Sequence, residues 1–556
     1  MNPRLRAVLV LLSIALGLGV IAWVNRLEHI LFSVEVGQQR ALDLGPPQAI
    51  EWSTGSDPRA PEERPPNIVV ILADDLGWND LSWLGGGVAG GTVPTPNIDS
   101  IARDGVHFAN GYSANGTCAP SRAALMTGRY GTRFGFEFTP TPSSFSTLVP
   151  RLGNQNARLH PAYVSDEEPE LTYREMGVPP SEITLAELLQ EAGYQTAHIG
   201  KWHLGLDNGM AAHDQGFDES LLMASGLYLP KNDPDVVNSK QDFDPIDQFL
   251  WRAMNYAASF NGGQNFEPEG YLTDYYTDEA VKVIEANKDR PFFLYLAHWA
   301  VHTPLQALKD DYEALSHIED HRMRVYAAMV LSLDRSVGRV LEALRENGLE
   351  ENTLVFFTSD NGAPAYIGLP EVNQPFRGWK ISFFEGGIHV PYLFKWPARV
   401  AAGQTIEAPA HGFDIFSTAA AAAGVALPDD RPIDGVDFVP WLRAPDSDSE
   451  PETAPPRDLF WRSGGYQVVL SDGYKLQLSD PPGTKWLFDL NTDPTEQTNL
   501  ADSQPERVAQ LEALLAQHNA QQMAPLWPSG VQTPIFIDKT LDLREVESDE
   551  FIYWWN

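Results

Sequence analysis

Two apolar runs, far apart in the chain, each end in oxygen-bearing side chains. The runs span residues 67–73 and 354–359, and both are rich in β-branched and aromatic residues. The side chains that follow them are Asp74 and Asp75 after the first run, and Asp360 and Asn361 after the second. Continuous apolar runs of this length are typical of strands buried on both faces of a parallel sheet. Ligands of open α/β sheets bind at the carboxyl ends of such strands, so the chain is predicted to be an α/β protein with a site there.

The acidic residues at these strand ends predict a cation site. Adjacent carboxylates such as Asp74 and Asp75 repel each other unless a cation neutralises them. Taken alone, this pair is equally well explained as solvated loop acids, but the second set, Asp360 and Asn361, favours a shared ion. Four oxygen ligands suit Ca²⁺ better than Mg²⁺.

The only cysteine, Cys118, lies in the segment 117–129. Pro120 suits the start of a helix and Gly128 its end, so Cys118 is predicted to lie just ahead of a helix N-terminus, which favours anions. Arg122, one turn into the helix, is placed to reach back toward it. A buried and inert cysteine is the alternative. A thiolate is a poor ligand for a hard cation, so oxygen at position 118 makes better chemical sense if this residue joins the cation site.

Three further segments carry candidate site residues. In the extended segment 200–205, Lys201 and His203 project to one side, which suits a pocket for an anion; the alternative is two surface residues around a buried tryptophan. His298 and His302 follow the predicted strand 292–297, and of these His298 is expected to be structural. Lys380, in Arg377-Gly-Trp-Lys, is by itself more typical of a solvated lysine.

Together these motifs resemble type I sulfatases. The pattern Cys-x-Pro-Ser-Arg-x-x-Leu-x-Thr-Gly is matched at every fixed position over 118–128, and Gly-Lys-Trp-His-Leu-Gly, His-x-Pro and Arg-Gly-x-Lys before Glu-Gly-Gly follow it. The resemblance covers about residues 65–525 and is closest to the arylsulfatase B, or N-acetylgalactosamine-4-sulfatase, branch. One departure is His389, which stands where that family usually has arginine and puts a supporting ion pair in doubt.

The resemblance implies an alkaline-phosphatase-like sandwich, with a large mostly parallel sheet flanked by helices and a small C-terminal α+β domain with an antiparallel sheet. It also implies that a maturase oxidises Cys118 to 3-oxoalanine (formylglycine), whose hydrated aldehyde attacks sulfur. One Ca²⁺ per chain is then implied, and its ligands are Asp74, Asp75, residue 118, Asp360 and Asn361.

The resemblance also implies roles for the remaining site residues. Arg122 would hold residue 118 in place, and Asp360 would act as the base. Lys201 and Lys380 would stabilise charge on the sulfuryl oxygens. His302 would protonate the leaving alcohol, and His203 would take a proton from the remaining hydroxyl so that sulfate is released.

The charge balance limits the class of partner. Thirty-nine basic against 75 acidic residues give a net charge of −36, which argues against nucleic acid as a partner. The same charge would repel a sulfate ester, so any anion site must be made locally positive by a few converging cations. With a single cysteine, no intrachain disulfide can form.

The chain order predicts five segments. Residues 1–25 are a membrane anchor or signal segment, because two arginines precede an apolar run; an uncleaved anchor would tether the body on the periplasmic or extracellular side. Residues 26–64 are a linker, 65–445 the catalytic domain, 456–530 a small C-terminal domain, and 531–556 an aromatic tail. The tail is predicted to dock back on the body, with a membrane or subunit contact as the alternative.

Local patterns predict the bounds of several elements. Helices are expected at 181–192, 274–287, 322–346 and 505–522, and strands at 194–199, 466–470, 474–478 and 486–490. The stretch 207–272 has weak periodicity and many Asp and Asn residues, which is typical of long substrate loops.

The predicted function is hydrolysis of a sulfate ester of a carbohydrate or an aryl alcohol. A phosphodiesterase or phosphonate hydrolase of the same superfamily is one alternative, and it would cleave phosphate diesters faster. A non-catalytic binder of sulfated glycans is another, and it would keep Cys118 unmodified. A cysteine-nucleophile hydrolase is a third, disfavoured because its thiol would face a calcium site.

Overall fold

A nine-stranded sheet forms the centre of the computed structural model, which describes residues 26–153, 157–165, 170–445 and 450–556. The strands, in their order across the sheet, are Gln404–Ile406, Val106–Phe108, Tyr392–Lys395, Thr353–Ser359, Asn67–Ala73, Phe292–Ala297, Gln195–Gly200, Glu219–Gly226 and Tyr256–Phe260. Strands from Thr353–Ser359 to Glu219–Gly226 pair in parallel, while Tyr392–Lys395 and Tyr256–Phe260 run antiparallel to their neighbours. The predicted fold class is confirmed.

The strand Asn67–Ala73 shows why its sequence is apolar throughout. Ile68, Val70 and Leu72 belong to one hydrophobic cluster, whereas Val69, Ile71 and Ala73 belong to the cluster on the opposite face. Because side chains alternate between faces, a strand covered on both sides needs apolar residues at every position. Helices cover both faces, and the α-helices of this body are Val88–Gly91, Pro96–Arg103, Cys118–Thr127, Ser143–Leu152, Leu185–Glu191, Pro245–Ala253, Leu272–Ala286, Lys309–Ala314, His321–Glu346, Glu385–Ile388 and Asp414–Ala422.

Four neighbouring parallel strands place the predicted site residues together. Ala73 is in register with Ser359 on one side, Leu72 with Ala297 on the other, and Ala297 with Gly200. The segments that leave these strand ends therefore emerge side by side at one end of the sheet.

Most predicted elements occur within a few residues of their expected bounds. The exception among the helices is 181–192, which is shorter at Leu185–Glu191 because Thr184, and not Ser181, caps it: its hydroxyl accepts the Glu187 N–H. The stretch 207–272 is less irregular than predicted. It contributes the edge strands Glu219–Gly226 and Tyr256–Phe260 and the helix Pro245–Ala253, because tertiary pairing stabilises short elements that carry little periodicity of their own.

The C-terminal region forms an antiparallel sheet covered by the helix Pro505–Asn519, as predicted, but the sheet has four strands where the sequence predicts three. The strands are Leu459–Ser463, Tyr466–Ser471, Tyr474–Ser479 and Thr484–Asp489. The tail strand Phe551–Trp555 pairs with Val531–Phe536, which in turn pairs with Tyr163–Val164. Ile552 and Trp554 are buried, so the tail packs against the body. Two-stranded sheets pair Leu305–Leu308 with Val236–Ser239 and Ala410–His411 with Gly111–Tyr112. The predicted domain boundaries stay a prediction.

The predicted anchor, residues 1–25, lies outside the described residues. In the described part of the chain, no helix combines the length and the apolar character that crossing a membrane requires. The stretch 26–64 is predicted to be a linker, but it begins with the helix Arg26–Ala41. Leu31 on this helix is buried, and Glu35 pairs with Lys231 and Arg252, so this part of the stretch packs on the body.

Candidate active site

Three buried carboxylates meet at the ends of the two central strands. Oxygen atoms of Asp74 and Asp360 lie within 4.8 Å of each other and of the Cys118 Sγ, and the carboxylates of Asp74 and Asp75 lie equally close to a His302 nitrogen. Asn361 donates from Nδ2 to Asp75 Oδ1 at 2.7 Å. The structure thus brings together every residue that the sequence predicts as a metal ligand.

Three buried cations balance these three carboxylates. Arg122 donates to Asp360 Oδ2 at 2.8 Å and to Asp74 Oδ2 at 3.2 Å. Lys201 Nζ lies 2.7 Å from Asp74 Oδ2, and Lys380 Nζ lies 2.7 Å from Asp75 Oδ1. The side chains thus sum to no net charge, so the cluster itself does not repel an anion although the whole chain carries a net charge of −36. Arg122 orders the acids around position 118 and makes no hydrogen bond to Cys118 among those described, so its role in holding residue 118 in place stays a prediction.

The donor set of this cluster suits a hard divalent cation. Asp74 Oδ1 and Asn361 Oδ1 are buried acceptors that have no hydrogen-bond partner in the described part of the chain. Unpaired buried acceptors cost about 1–3 kcal/mol each, and a coordinated ion would remove that cost. Oxygen atoms from carboxylates and an amide are the ligands that Ca²⁺ prefers, so the residues present fit the predicted ion.

Burial and charge shift the pKa of two of these acids in opposite directions. Burial favours a higher pKa for Asp74, but the charges of Lys201 and its neighbours outweigh it and hold that pKa well below its usual range. Burial, followed by repulsion from Asp74, raises the pKa of Asp360 to about 6. Asp360 is therefore the carboxylate of this cluster that is best suited to accept a proton near neutral pH.

Cys118 is the first residue of the helix Cys118–Thr127, which begins two residues earlier than the predicted start at Pro120. Gly128 ends this helix with φ of +69°, as expected for a glycine cap. Burial raises the pKa of the Cys118 thiol despite the nearby charge of Lys201. The residue is 4% exposed, so an unmodified side chain here is a protonated thiol facing oxygen ligands.

His302 has a defined tautomer. Its Nδ1 lies 2.6 Å from the carbonyl oxygen of Thr303 and must carry the proton, so Nε2 accepts from Lys380 Nζ at 3.1 Å. The imidazole stacks on Trp299 at a centroid distance of 3.9 Å. Burial, and then the charge of Lys380, lowers the pKa of His302 to about 4.

The imidazole of His203 is held by the backbone of Pro140. Its Nε2 lies 3.1 Å from the carbonyl oxygen of Pro140 and donates to it, whereas Nδ1 is buried and has no partner within the described ranges. Burial, and then the charge of Lys201, lowers the pKa of His203 well below its usual value. Nδ1 is thus a free proton acceptor.

Three non-glycine residues at the site have left-handed backbones. Asp75, His203 and Ile381, the residue after Lys380, have φ of +62°, +62° and +86°. Such conformations cost of order 1–3 kcal/mol each and persist where surrounding contacts enforce them. The backbone changes direction at these residues, and the neighbouring side chains converge on the carboxylate cluster.

The Lys380 segment is anchored by a second buried charge cluster. Glu385 accepts from Lys475 Nζ at 2.6 Å and from His389 Nδ1 at 2.7 Å, and Glu496 lies 3.0 Å from the same Lys475. Lys475 from the C-terminal sheet thus forms an ion pair with Glu385, and His389 Nε2 lies 2.8 Å from the carbonyl oxygen of Ala109.

His298 lies apart from the cluster and contacts Ser336 Oγ at 2.9 Å, in agreement with a structural role. Sequence reasoning missed Trp299 beneath His302, and Tyr366, whose hydroxyl donates to Asp75 Oδ2 at 3.3 Å. It also missed Lys475 and Glu496. Trp299 stands three positions before His302, and the sequence carries no signal that the two rings stack, because such a contact depends on how the loop between them turns.

Comparisons with known proteins agree with this geometry. The family model described as Sulfatase matches residues 66–425. Human N-acetylgalactosamine-6-sulfatase is 37% identical over 387 residues, which are 68% of this chain and 66% of that protein. The chain thus aligns with just under two thirds of that relative's length. Mouse steryl-sulfatase is 32% identical over 462 residues, covering 71% of this chain and 68% of the relative.

The solved structures show the same fold. The crystal structure of Ps i-CgsB in complex with k-i-k-neocarrahexaose has a TM-score of 0.67 and 30% identity, and the match covers 84% of this chain and 95% of that one. None of these relatives is a 4-sulfatase by name, so the predicted 4-sulfatase branch stays a prediction.

Proposed function

Because this chain belongs to the sulfatase family, we propose that it hydrolyses sulfate esters to an alcohol and inorganic sulfate. The observation that carries the proposal is the convergence of Lys201, Lys380 and the imidazole of His302 on buried carboxylates next to residue 118. Two ammonium groups and an imidazole beside a reactive position form a site for a tetrahedral oxyanion and its leaving group.

Two groups complete the proposed site. Formylglycine, made from Cys118 by a maturase, supplies a hydroxyl nucleophile when it is hydrated. A calcium ion held by Asp74, Asp75, Asp360, Asn361 and residue 118 supplies positive charge for the sulfuryl oxygens. With that ion, the balanced side chains would gain two positive charges, enough to attract a sulfate monoester.

The side chains around position 118 divide the proton transfers. Asp360 is proposed as the acceptor of the nucleophile's proton, because its pKa is raised to about 6 while Arg122 fixes its Oδ2. His203 Nδ1 is proposed as the acceptor of the second hydroxyl proton when sulfate leaves, because its Nε2 is occupied by Pro140.

On the leaving-group side, the tautomer of His302 refines its proposed role. Because Nε2 accepts from Lys380 Nζ, the proton passes from Nζ to Nε2 and from Nε2 to the leaving oxygen, which leaves Lys380 as a neutral amine that still donates to a sulfuryl oxygen. Lys201 and Lys380 hold the sulfuryl oxygens, and the stacked ring of Trp299 keeps the His302 imidazole in place.

The test combines a mass measurement with a substrate comparison. Mass spectrometry of the peptide carrying residue 118, from protein made in its native host, should show an aldehyde in place of the thiol-bearing carbon. The same protein should hydrolyse 4-nitrophenyl sulfate faster than a bis(4-nitrophenyl) phosphate diester. A faster diester reaction would favour the phosphodiesterase alternative, and unmodified Cys118 with tight binding but no turnover would favour the glycan binder.

Replacing His302 with alanine should lower kcat on alkyl sulfates by about 10²–10⁴-fold, because an alkoxide is a poor leaving group without a proton. The loss on 4-nitrophenyl sulfate should be much smaller, since nitrophenolate leaves without protonation. His317→Ala, at an exposed histidine, is the matched control. Equal losses on both substrates would contradict the acid role.

Calcium should stabilise the folded protein. At a free concentration 100 times the Kd, binding adds about 2.7 kcal/mol to the free energy of unfolding, which thermal unfolding in calcium and in EGTA would reveal as a higher Tm in calcium. Asp75→Asn should weaken the effect, whereas Asp278→Asn, at an exposed acid paired with Arg339, should not. An unchanged Tm in the parent protein would count against the ion.

The proposed substrate is a sulfated carbohydrate, because one relative is named for a sulfated amino sugar and one matched structure holds a neocarrahexaose. The proposed partners are this substrate and the maturase that acts on Cys118. Placement of the body on the periplasmic or extracellular side, with tethering by residues 1–25, is likewise a proposal that rests on the amino-acid sequence of that segment.

A further inference from the structure

One aromatic side chain beside the site has no part in the chemistry described so far. Tyr173 lies in the segment between the short strand Tyr163–Val164 and the helix Leu185–Glu191. Its ring centroid is 6.2 Å from that of His203, with the ring planes tilted by 50°. Within the described ranges, its hydroxyl forms no hydrogen bond with another side chain, so the ring is not engaged in a polar network of the protein.

The backbone that carries Tyr173 is fixed against the loop of Lys201 and His203. Leu206 and Asp207 both donate their N–H groups to the carbonyl oxygen of Arg174, and Val178 donates to that of Leu204 at 2.9 Å. A Cβ at Gly177 would lie 2.2 Å from the Leu204 oxygen, so only glycine permits this approach. Tyr173 is therefore held in a constant place relative to the sulfate-binding loop.

Tyr173 presents part of its ring to solvent beside the site. The residue is 39% exposed, so a bound molecule can reach the ring. The same ring neighbours His203, and the loop of His203 also carries Lys201.

We propose that Tyr173 is a specificity-determining residue that packs its ring against the sugar ring bearing the sulfate ester. The proposal rests on the proposed function, whose sulfate site lies next to His203. A tyrosine ring offers a large, rigid apolar face at a small cost in conformational entropy. The C–H faces of a sugar ring are neutral, so this contact also avoids the repulsion that an acidic surface would exert on the substrate.

Binding measurements in the Cys118→Ala background test the proposal without requiring turnover. The probes are N-acetylgalactosamine 6-sulfate, which carries a sugar ring, and inorganic sulfate, which does not. Adding Tyr173→Ala should weaken the Kd for the sugar sulfate about tenfold and leave the Kd for inorganic sulfate within about twofold. Tyr173→Phe, which keeps the ring, should retain most of the affinity.

Tyr163→Ala is the matched control, because Tyr163 is a tyrosine of similar exposure, 45%, on the neighbouring strand Tyr163–Val164. It should change neither Kd. Parallel weakening of both ligands by Tyr173→Ala would show a structural role and overturn the proposal. So would an unchanged Kd for the sugar sulfate, or a parent protein that binds the sugar sulfate no tighter than inorganic sulfate.

Steady-state kinetics separate this inference from the proposed function. In protein with an intact residue 118, Tyr173→Ala should raise KM for the sugar sulfate with little change in kcat, since a ring contact made equally in the ground and transition states affects binding alone. Failure of the parent protein to hydrolyse any sulfate ester would remove the proposed function, while the two Kd values would still decide the role of Tyr173.

Discussion

Cys118→Ala should lower the turnover of 4-nitrophenyl sulfate by about 10⁴-fold or more, the scale seen when an enzyme loses its nucleophile. The reason is that no other side chain of the described site is free to act as the nucleophile, because Asp74, Asp75 and Asp360 are all paired with cations. The measurement is initial rates with protein made in the native host, together with the mass of the peptide that carries residue 118.

Two controls separate lost chemistry from lost structure. Cys118→Ala should unfold at nearly the same temperature as the parent, because the change removes only the atoms beyond Cβ of one buried side chain. Cys118→Ser keeps an oxygen near the carboxylates, and where the mass of its peptide shows unoxidised serine it should bind calcium and remain inactive. Turnover of Cys118→Ala within tenfold of the parent would exclude residue 118 as the nucleophile.

The second large effect is expected on stability. Lys475→Met removes the only cation that contacts both Glu385 and Glu496 among the described residues, and all three side chains are buried. Removing one partner from a buried ionic cluster costs about 3–5 kcal/mol, because the remaining charges are left uncompensated. Chemical denaturation at neutral pH would measure this change in the free energy of unfolding.

The loss in Lys475→Met should depend on pH in a defined direction. Burial, opposed by Lys475, already raises the pKa of Glu496 to about 7, whereas Lys475 outweighs burial and lowers the pKa of Glu385 to about 2. Without the lysine both folded-state pKa values rise above the usual value for glutamate. Ionisation of these glutamates therefore lowers the free energy of unfolding of Lys475→Met as the pH rises from about 5 to 8. The difference between this variant and the parent should be smaller near pH 5 than near pH 8.

Lys485→Met is the matched control, because Lys485 lies on the next strand of the same sheet and pairs with Glu512 at the exposed surface. Surface pairs contribute about 0–1 kcal/mol. The same Lys475→Met protein should also show weaker activity, since Glu385 belongs to the segment that carries Lys380. If Lys475→Met lowers the free energy of unfolding no more than Lys485→Met does, the buried cluster does not stabilise the fold.

The central sheet and the ligand set were predictable from the sequence because each depends on short-range patterns. The apolar run 67–73 can only be a strand covered on both faces, and Asp74 and Asp75 must then stand at its carboxyl end. The helix of Cys118 is bounded by residues with definite backbone preferences, above all Gly128. Elements in 207–272 escaped prediction because their stability comes from pairing with neighbouring strands.

The sequence by itself determined which residues are proposed to carry the chemistry. Cys118, Arg122, Lys201, His203, His302, Asp360 and Lys380 stand out because the motifs around them resemble those of type I sulfatases. Only the tertiary structure decided how they act. The tautomer of His302 depends on Thr303 and on Lys380, the support of Lys380 depends on Lys475, and the place of Tyr173 depends on the loop of His203. Apart from the Thr303 contact, these join residues 30 or more positions apart in the chain, and local propensity carries no information about which distant side chains will meet.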